Sequence, residues 1–578
     1  MYQLFLVLFL FIGRSAAVIY RLNASQYNKM PALYALDDYD ACMAEPGGTY
    51  CIVDVNLHEG TNADLMRIIQ GYSDHKLKHF NHTQIHRGVC VTRTCKDFSR
   101  VPNTNITQDL RETLEGCLNN SLYSQYGLEG RLAKIQYCNK EGDRVTLDNS
   151  DIIMAVVYLV LIILNVVGSL YDVLKCKKEE KTGNTFLLAF SIRRNWGRLI
   201  APSNSGQEPR LERLKLFYGL RTMTMFCVFF SHTTLIMSYS YVDNPLYIET
   251  SYEDPLKQIL FNGSLVTHTF FVMSSFLLAY NFQLYTEKHN VSWLHFPKGI
   301  LLRWLRLTPT YALILFTIST WMRYAFNGPL WRLVVTSEAE ACRQYWWAQL
   351  LYVNNYVYED AFCLPQTWTY RNLYASEDTF RLLYIRGHTN MSTYILGLAG
   401  GFIAYHLQSG KELHKYKKHR WVVWLVFPLG VAVILSGGLF YSDSGRVPAP
   451  WRVLYATLYK PLFQLLVVTL ILGCIFKFES IYRGIIEWRG WTWTGRVSYS
   501  AFLLHTLFQR GLVGAQTQPI HMSDYCVMIV LAATIFLTYM CACILFVCVE
   551  APAAALVRAV LAPRTDSGGQ GEGDTTKV

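Results

Sequence analysis

The sequence predicts a mostly α protein, a polytopic helical membrane bundle of about nine spans with a small, disulfide-rich, mainly helical luminal domain at its N-terminus. The first observation is composition, because 52% of the 578 residues are hydrophobic and only 16% are charged. That balance is too apolar for a soluble domain of this size. The second observation is a group of cysteines and glycosylation sequons that precedes the first long apolar run.

Residues 1–17 predict a cleaved signal peptide. They hold an apolar stretch that is too short to span a membrane, and they end in the small residues SAA, which suit signal peptidase. A lysine-rich start is missing, so an uncleaved anchor is the alternative. Residues 18–148 then form a luminal or extracellular domain.

The cysteines and sequons of residues 18–148 indicate an oxidising compartment. An even number of cysteines predicts three disulfides, whose connectivity the sequence leaves open. A zinc site is the competing interpretation, but no CxxC pair is present. The candidate disulfide cysteines are Cys42, Cys51, Cys90, Cys95, Cys117 and Cys138. The candidate glycosylation sites are Asn23, Asn81, Asn105 and Asn119.

Nine apolar runs are candidates for membrane-spanning helices. We divide the rest of the chain into the first transmembrane helix with a basic cytosolic linker (149–213), a membrane-embedded domain (214–562) and a disordered cytosolic tail (563–578). The predicted spans are 152–171, 214–240, 259–282, 302–325, 392–408, 421–440, 453–475, 493–513 and 525–548.

Alternating these spans across the membrane gives each connecting segment a side. Lysines directly after the first span, and the basic segments 283–306 and 411–420, then fall in the cytosol, as the positive-inside rule requires. Segment 327–391 falls in the lumen. It contains Cys342 and Cys363, which we expect to pair, and a sequon at Asn390.

The formal net charge of +11 does not indicate a nucleic-acid partner. Its basic residues cluster in short segments between apolar runs, which is a signal of membrane topology. Membrane lipids are therefore expected partners and nucleic acid is not. We predict no metal cofactor, and no Gly-rich phosphate loop follows a strand.

The second span carries two ionisable residues. Arg221 and His232 are eleven residues apart, close to three helical turns, so they lie on nearly the same face. Ionisable groups within a span usually face a cavity or a partner. Snorkelling to the lipid surface is the alternative for Arg221, and a structural hydrogen bond is the alternative for His232.

Three further candidates follow along the chain. Arg303 and Arg306 lie at the cytosolic start of the fourth span, where they either anchor the helix to lipid phosphates or bind the phosphates of a ligand. His505 lies inside the eighth span, where packing is the alternative to a catalytic role. Glu550 lies at the end of the last span.

These motifs, in their order, resemble the acyltransferase 3 family. They are an arginine and a histidine separated by ten residues, an FFxxS segment, RWLRLTP, GRxSYxxFLLH and a terminal E-x-P. The cysteine-rich ectodomain, FSIRRNW at 190–196 and the GPLW…CLPQTW segment are similar to the animal branch called nose resistant to fluoxetine. The resemblance extends from about Cys42 to about Leu561.

The resemblance implies a membrane-bound O-acyltransferase that moves an acyl group from cytosolic acyl-CoA to a luminal or extracellular acceptor hydroxyl. His232 would be the general base or relay the acyl group, Arg221 would hold the donor or orient charge, and His505 is a second catalytic candidate. Arg303 and Arg306 would bind the CoA phosphates. The implied location is a membrane of the secretory pathway, the endoplasmic reticulum or the plasma membrane.

The chain departs from the family pattern at His268 and Ser275, where the family has an aspartate and a glycine. The family's Asp and Gln after Trp368 are also missing, so a carboxylate that balances Arg221 or orients His232 is expected to be absent. The alternative function is therefore a catalytically impaired member that transports or takes up lipids or small hydrophobic molecules. Its partner would be an unidentified luminal or extracellular hydrophobic ligand.

Overall fold

A computed structural model describes residues 21–561, apart from 77, 99–105, 144, 176–182, 203–208, 239, 262, 358–362, 365–389, 410–417, 419 and 442–446. The predicted signal peptide, the predicted tail and Asn105 lie outside the described residues, as do the residues that follow Trp368 and most of segment 411–420.

The luminal domain is built on a four-stranded sheet with the order β1–β3–β2–β4. β1 runs parallel to β3, whereas β2 is antiparallel to both β3 and β4. Helices account for more of its residues than strands do, but the sheet was not expected from the sequence. The strands are β1 (Tyr34–Leu36), β2 (Thr49–His58), β3 (Gln84–Cys90) and β4 (Glu129–Lys140), and the helices are α1 (Ala24–Tyr27), α2 (Tyr39–Met43), α3 (Ala63–Ser73), α4 (Val91–Thr94) and α5 (Ile106–Tyr126).

Disulfides join the sheet to its surroundings, and the predicted set of three is confirmed. Cys51 and Cys138 lie directly opposite each other on β2 and β4, with Cα atoms 4.0 Å apart. The other bonds are Cys42–Cys90 and Cys95–Cys117. A fourth bond joins Cys342 to Cys363, as expected for the segment between the fourth and fifth spans.

The three described sequons of the luminal domain have their asparagine side-chain oxygens engaged in hydrogen bonds. Asn23 Oδ1 accepts from Gln26 N–H at 2.8 Å, and Asn81 Oδ1 accepts from the hydroxyl of Thr83 at 2.6 Å. Asn119 Oδ1 accepts from the backbone N–H of Gly130 in β4, at 2.9 Å. Glycosylation of these sites and of Asn390 stays a prediction.

The membrane domain has a helix at each of the nine predicted span positions. Seven helices of the described part of the chain are long and apolar enough to cross a membrane. The helices are α6 (Asn149–Lys175), α7 (Thr185–Ala189), α8 (Ile192–Ile200), α9 (Pro209–Glu212), α10 (Leu216–Ser238), α11 (Pro245–Ser251), α12 (Pro255–Phe261), α13 (Gly263–Thr286), α14 (His295–Ser319), α15 (Ser337–Leu350), α16 (Asn354–Val357), α17 (Met391–Ser409), α18 (Trp421–Leu435), α19 (Ala449–Ile475), α20 (Ile481–Ile486), α21 (Trp491–Arg496), α22 (Ser498–Gly514), α23 (Asp524–Leu545) and α24 (Ala551–Leu561).

Two of the nine predicted spans, α17 and α22, are not among the seven. α22 is only 17 residues long and most of it is buried inside the bundle. Because it faces other helices instead of lipid, it tolerates polar residues such as His505 and Gln509. On the outside the pattern is reversed, since the exposed side chains of α6 are apolar, Ile162 among them. An apolar exterior is what contact with hydrocarbon requires.

The luminal domain is attached to the bundle through Glu249 of α11, whose residue is only 3% exposed. Its carboxylate accepts hydrogen bonds from Tyr72 Oη at 2.7 Å, Phe80 N–H at 2.8 Å and His82 Nε2 at 2.9 Å. All three donors belong to the luminal domain. Burial would raise the pKa of Glu249, but the hydrogen bonds and charge from His82, with those from Tyr72 and Phe80, outweigh burial and lower the pKa.

A second attachment lies where α6 begins. Asp151 is fully buried and receives hydrogen bonds from Arg323 at 2.9 Å and from Arg343 at 2.9 Å. Arg343 also contacts Asp148, and this hydrogen bond lowers the pKa of Asp148 to about 2. The cluster ties the first span to the segment after the fourth span.

That segment does not lie wholly outside the bundle. We expected residues 327–391 to be luminal, but α15 packs against α14, and Trp304 Nε1 donates to the carbonyl of Leu350 at 2.9 Å. Tyr311 of α14 likewise donates to Gln349 at 2.6 Å. The chain therefore re-enters the bundle after the fourth span, a path that hydropathy does not reveal because α15 is rich in polar residues.

Candidate active site

Two histidines that are 273 residues apart in sequence meet inside the bundle. α10 carries His232 and α22 carries His505, and His232 Nδ1 lies 2.8 Å from His505 Nε2. His505 is fully buried, whereas His232 is half-buried. The rings of Phe229 and Phe502 pack against His505, with centroids 5.0 and 5.7 Å away. The structure thus joins two of the sequence-predicted catalytic residues in an apolar setting.

The hydrogen bonds determine which ring nitrogen carries a proton. His505 Nδ1 lies 2.7 Å from the carbonyl of Phe502, which can only accept, so this nitrogen carries the hydrogen. In the neutral ring the Nε2 of His505 is then an acceptor, and Nδ1–H of His232 donates to it. His232 Nε2 is left with its lone pair. A histidine oriented in this way is prepared to accept a proton at Nε2.

Arg221 does not touch His232. Eleven residues of α10 separate them, which corresponds to about 16 Å along the helix axis. Arg221 lies near the cytosolic end instead, where its charge interacts with those of Arg303, Arg306 and Glu550. Arg303 also donates to the hydroxyl of the FFxxS serine, Ser274, at 2.8 Å. The three predicted arginines therefore form one cluster, distinct from the histidine pair.

Glu550 supplies the carboxylate that we expected to be absent. It ends a π-helix, Phe546–Glu550, and accepts a hydrogen bond from Ser500 of α22 at 2.6 Å. The wider turn alters the backbone hydrogen bonding, and the carbonyl of Val547 accepts from Asn195 Nδ2 at 3.0 Å. In the sequence, Glu550 was marked by its place at the end of the last span and by the terminal E-x-P motif.

The departures from the family pattern have structural partners. Ser275 donates to the carbonyl of Phe271 at 2.8 Å and packs against Gly397 of α17. A residue larger than glycine would not fit at position 397. His268 is 3% exposed, and the charge of Lys460 of α19 acts on it. We did not single out Lys460, although a lysine within a span is itself a signal of an internal position.

A buried ion pair joins Glu338 of α15 to Arg510 of α22. Glu338 also accepts from the backbone N–H of Leu364 at 3.2 Å, and Gln349 donates to the carbonyl of Cys363 at 2.8 Å. Burial raises the pKa of Glu338, against the opposing effect of Arg510. The sequence analysis missed this pair, because nothing local marks Glu338 as buried. In the described parts of the chain, no group of three or more His, Cys, Asp or Glu residues could hold a metal ion.

The fold and the site define a class of protein: a polytopic helical membrane protein with a disulfide-bonded ectodomain, an internal histidine pair and an arginine cluster at one end. No family model matches the chain, and no solved structure matches it. The chain is 21% identical over 524 residues to "Nose resistant to fluoxetine protein 6" of Caenorhabditis elegans. That alignment covers 74% of this chain and 62% of the relative, so the chain spans less than two thirds of the relative's length. The predicted resemblance to the nose resistant to fluoxetine branch is confirmed, whereas membership of the acyltransferase 3 family stays a prediction.

Proposed function

We propose that the protein is an O-acyltransferase of the secretory pathway, in the endoplasmic reticulum or plasma membrane, that moves an acyl group from cytosolic acyl-CoA to a luminal or extracellular hydroxyl. The observation that carries the proposal is the hydrogen-bonded series from the Phe502 carbonyl through His505 to His232. It leaves a basic nitrogen on His232 in an apolar interior. In the described part of the chain, no group donates a hydrogen bond to this nitrogen. A histidine pair with only a structural role would not need such a free lone pair.

The chemistry assigned to His232 is general-base catalysis. His232 Nε2 takes the proton of the acceptor hydroxyl while the oxygen of that hydroxyl attacks the thioester carbonyl. A C–O bond forms, the C–S bond breaks, and the CoA thiolate leaves and takes up the proton that His232 holds. His505 keeps the His232 ring in the correct tautomer and shares the positive charge that develops on it. A general base of this kind contributes about 10²–10⁴-fold to a reaction rate.

The arginine cluster suits the donor. CoA carries several phosphate charges, and the planar guanidinium groups of Arg303 and Arg306 match phosphate geometry. Arg221 belongs to the same cluster, and the charge of Glu550 acts on it. Because Arg221 and His232 are about 16 Å apart along α10, the extended arm of the donor has to bridge that distance for the acyl group to reach His232.

The test is transfer of radiolabelled acyl groups from acyl-CoA by purified protein in lipid vesicles. We expect turnover in the wild type and its loss in His232→Gln, which keeps the size of the side chain. His289→Ala changes an exposed histidine outside the site and is the control. Absence of both transfer and acyl-CoA hydrolysis in the wild type would contradict the proposal.

A cavity of about 290 Å³ supports the second candidate function, movement of lipids or small hydrophobic molecules. It is lined by Phe230 and Thr234 of α10, Ile248 of α11, and Val527 and Met528 of α23. Phe230 and Thr234 lie on the face of α10 opposite to His232. Ligand uptake that survives His232→Gln but is lost when Val527→Trp fills the cavity would favour this function over acyl transfer.

A further inference from the structure

A buried amide lies one helical turn from the histidine pair, toward the luminal domain. Gln509 of α22 follows His505 by four residues, so the two side chains leave the same face of that helix about 6 Å apart along its axis. Beyond α22 the chain reaches the luminal domain, because Ile520 N–H donates to the carbonyl of Tyr241 at 2.8 Å and the Tyr241 ring lies 4.8 Å from that of Tyr34 in β1. Gln509 is therefore on the side from which a luminal acceptor approaches.

The hydrogen bonds of Gln509 determine the orientation of its amide. Nε2 donates to the hydroxyl oxygen of Thr233 at 2.8 Å and to the carbonyl of Phe229 at 3.3 Å. A carbonyl can only accept, so the atom that faces Phe229 is the amide nitrogen. Both hydrogens of that nitrogen are then engaged with α10. The Oε1 atom is the polar atom that remains for another partner.

This Oε1 atom is buried, since the whole residue is only 2% exposed. Among the described residues, no group donates a hydrogen bond to it. Most buried side-chain polar atoms have a partner, because an unpaired one loses its hydrogen bonds to water without compensation. A ligand that donates a hydrogen bond to Gln509 would explain why this oxygen is kept unpaired beside the histidine pair.

The partners of Gln509 place its amide close to His232. Thr233 follows His232 directly in the chain, and Phe229 precedes it by three residues on α10. Two hydrogen bonds of about 2.8 Å, joined by neighbouring hydroxyl groups of one molecule, cover an offset of about one helical turn. One small ligand can therefore contact His232 and Gln509 together.

We propose that Gln509 Oε1 binds a second hydroxyl of the acceptor, next to the hydroxyl that reacts at His232. The inference rests on the proposed acyl transfer, and it narrows the acceptor to a molecule with neighbouring hydroxyls, such as a glycerol or sugar unit. One hydroxyl donates to His232 Nε2, and its neighbour donates to Gln509 Oε1. An alcohol with a single hydroxyl leaves the amide oxygen unpaired and binds more weakly.

The test compares propylene glycol with n-propanol, which lacks the second hydroxyl. Binding to the full-length protein in nanodiscs is measured by saturation-transfer NMR, with the signal of empty nanodiscs subtracted. Acyl transfer from radiolabelled acyl-CoA is measured with the same two alcohols. We expect the wild type to bind the diol about tenfold more tightly, because n-propanol leaves a buried acceptor without its hydrogen bond.

Two substitutions separate ligand binding from a structural role. Gln509→Met keeps the length of the side chain but removes both polar atoms of the amide, so it should abolish the preference for the diol. Thr233→Val removes the hydroxyl that Gln509 Nε2 contacts but leaves Oε1 in place. It weakens the link between α10 and α22 and should keep the preference for the diol.

Equal affinity of the wild type for the two alcohols would overturn the inference. A preference for the diol that survives in Gln509→Met would do the same, and so would one that disappears equally in Thr233→Val, since the amide would then act only as a link between helices. The proposed function is tested apart from this. A wild type that binds the diol more tightly but transfers no acyl group to it would refute the acyl transfer alone.

Discussion

Glu249 holds the luminal domain on the membrane bundle, and its replacement by alanine should release that contact. The substitution removes one buried carboxylate that accepts from Tyr72, Phe80 and His82. Removing one partner of a buried, charged arrangement costs about 3–5 kcal/mol, because the groups that remain lose their partner without regaining water. For Glu249→Ala we expect a cost at the lower end of this range, about 3 kcal/mol, because undocking returns the luminal donors to solvent. That loss corresponds to a change of about 150-fold in the docking equilibrium.

Hydrogen exchange measures this change at the contact itself. The backbone N–H of Phe80 donates to Glu249, so its exchange in nanodiscs should accelerate by about 100-fold or more in Glu249→Ala. Glu253→Ala is the matched control, because Glu253 is close in sequence but its side chain is 44% exposed where it pairs with Arg21 and Lys78. Exposed pairs contribute about 0–1 kcal/mol. Exchange that accelerates equally in both variants, or in neither, would refute the reasoning.

Acid provides a second way to weaken the same contact. The pKa of Glu249 is lowered in the docked state, so its contribution is complete above the ordinary carboxyl pKa and is lost as pH falls through the docked pKa. Phe80 exchange, corrected for the intrinsic pH dependence of amide exchange, should therefore rise in the wild type only as the pH falls below the ordinary carboxyl pKa, toward the docked pKa. In Glu249→Gln it should show no such rise.

Three further predictions concern other contacts. His505→Leu should lower acyl transfer by about 10²-fold or more, because the tautomer of His232 is no longer determined, and the rate in vesicles measures it. Serine at both Cys342 and Cys363 should cost about 3 kcal/mol by the chain-entropy relation, given the sequence separation of 21, and a thermal scan in detergent should show a lower melting temperature. Asp151→Asn should lower the same melting temperature, because Arg323 and Arg343 lose the charge of a fully buried carboxylate. An unchanged melting temperature would show that the cluster contributes little to stability.

The sequence determined where the spans lie and which cysteines face an oxidising compartment. Hydrocarbon allows no unpaired backbone groups, so a run of about 20 apolar residues has few conformations other than a helix, and its length alone is informative. The positions of the seven described helices that are long and apolar enough to cross a membrane follow from this local rule. Likewise, an even number of cysteines among sequons predicts disulfides, but it cannot choose between the possible pairings.

Only the tertiary structure decided which distant residues meet. The bond between His232 and His505, the acceptance of three luminal donors by Glu249 and the pairing of Cys51 with Cys138 join positions separated by 87 to 273 residues. Helix rotation and strand register determine these contacts, and each depends on packing between segments that are distant in sequence. Arg221 and Glu550 show the limit most directly, because hydropathy marked both as costly in a span but gave no sign that their charges act on each other.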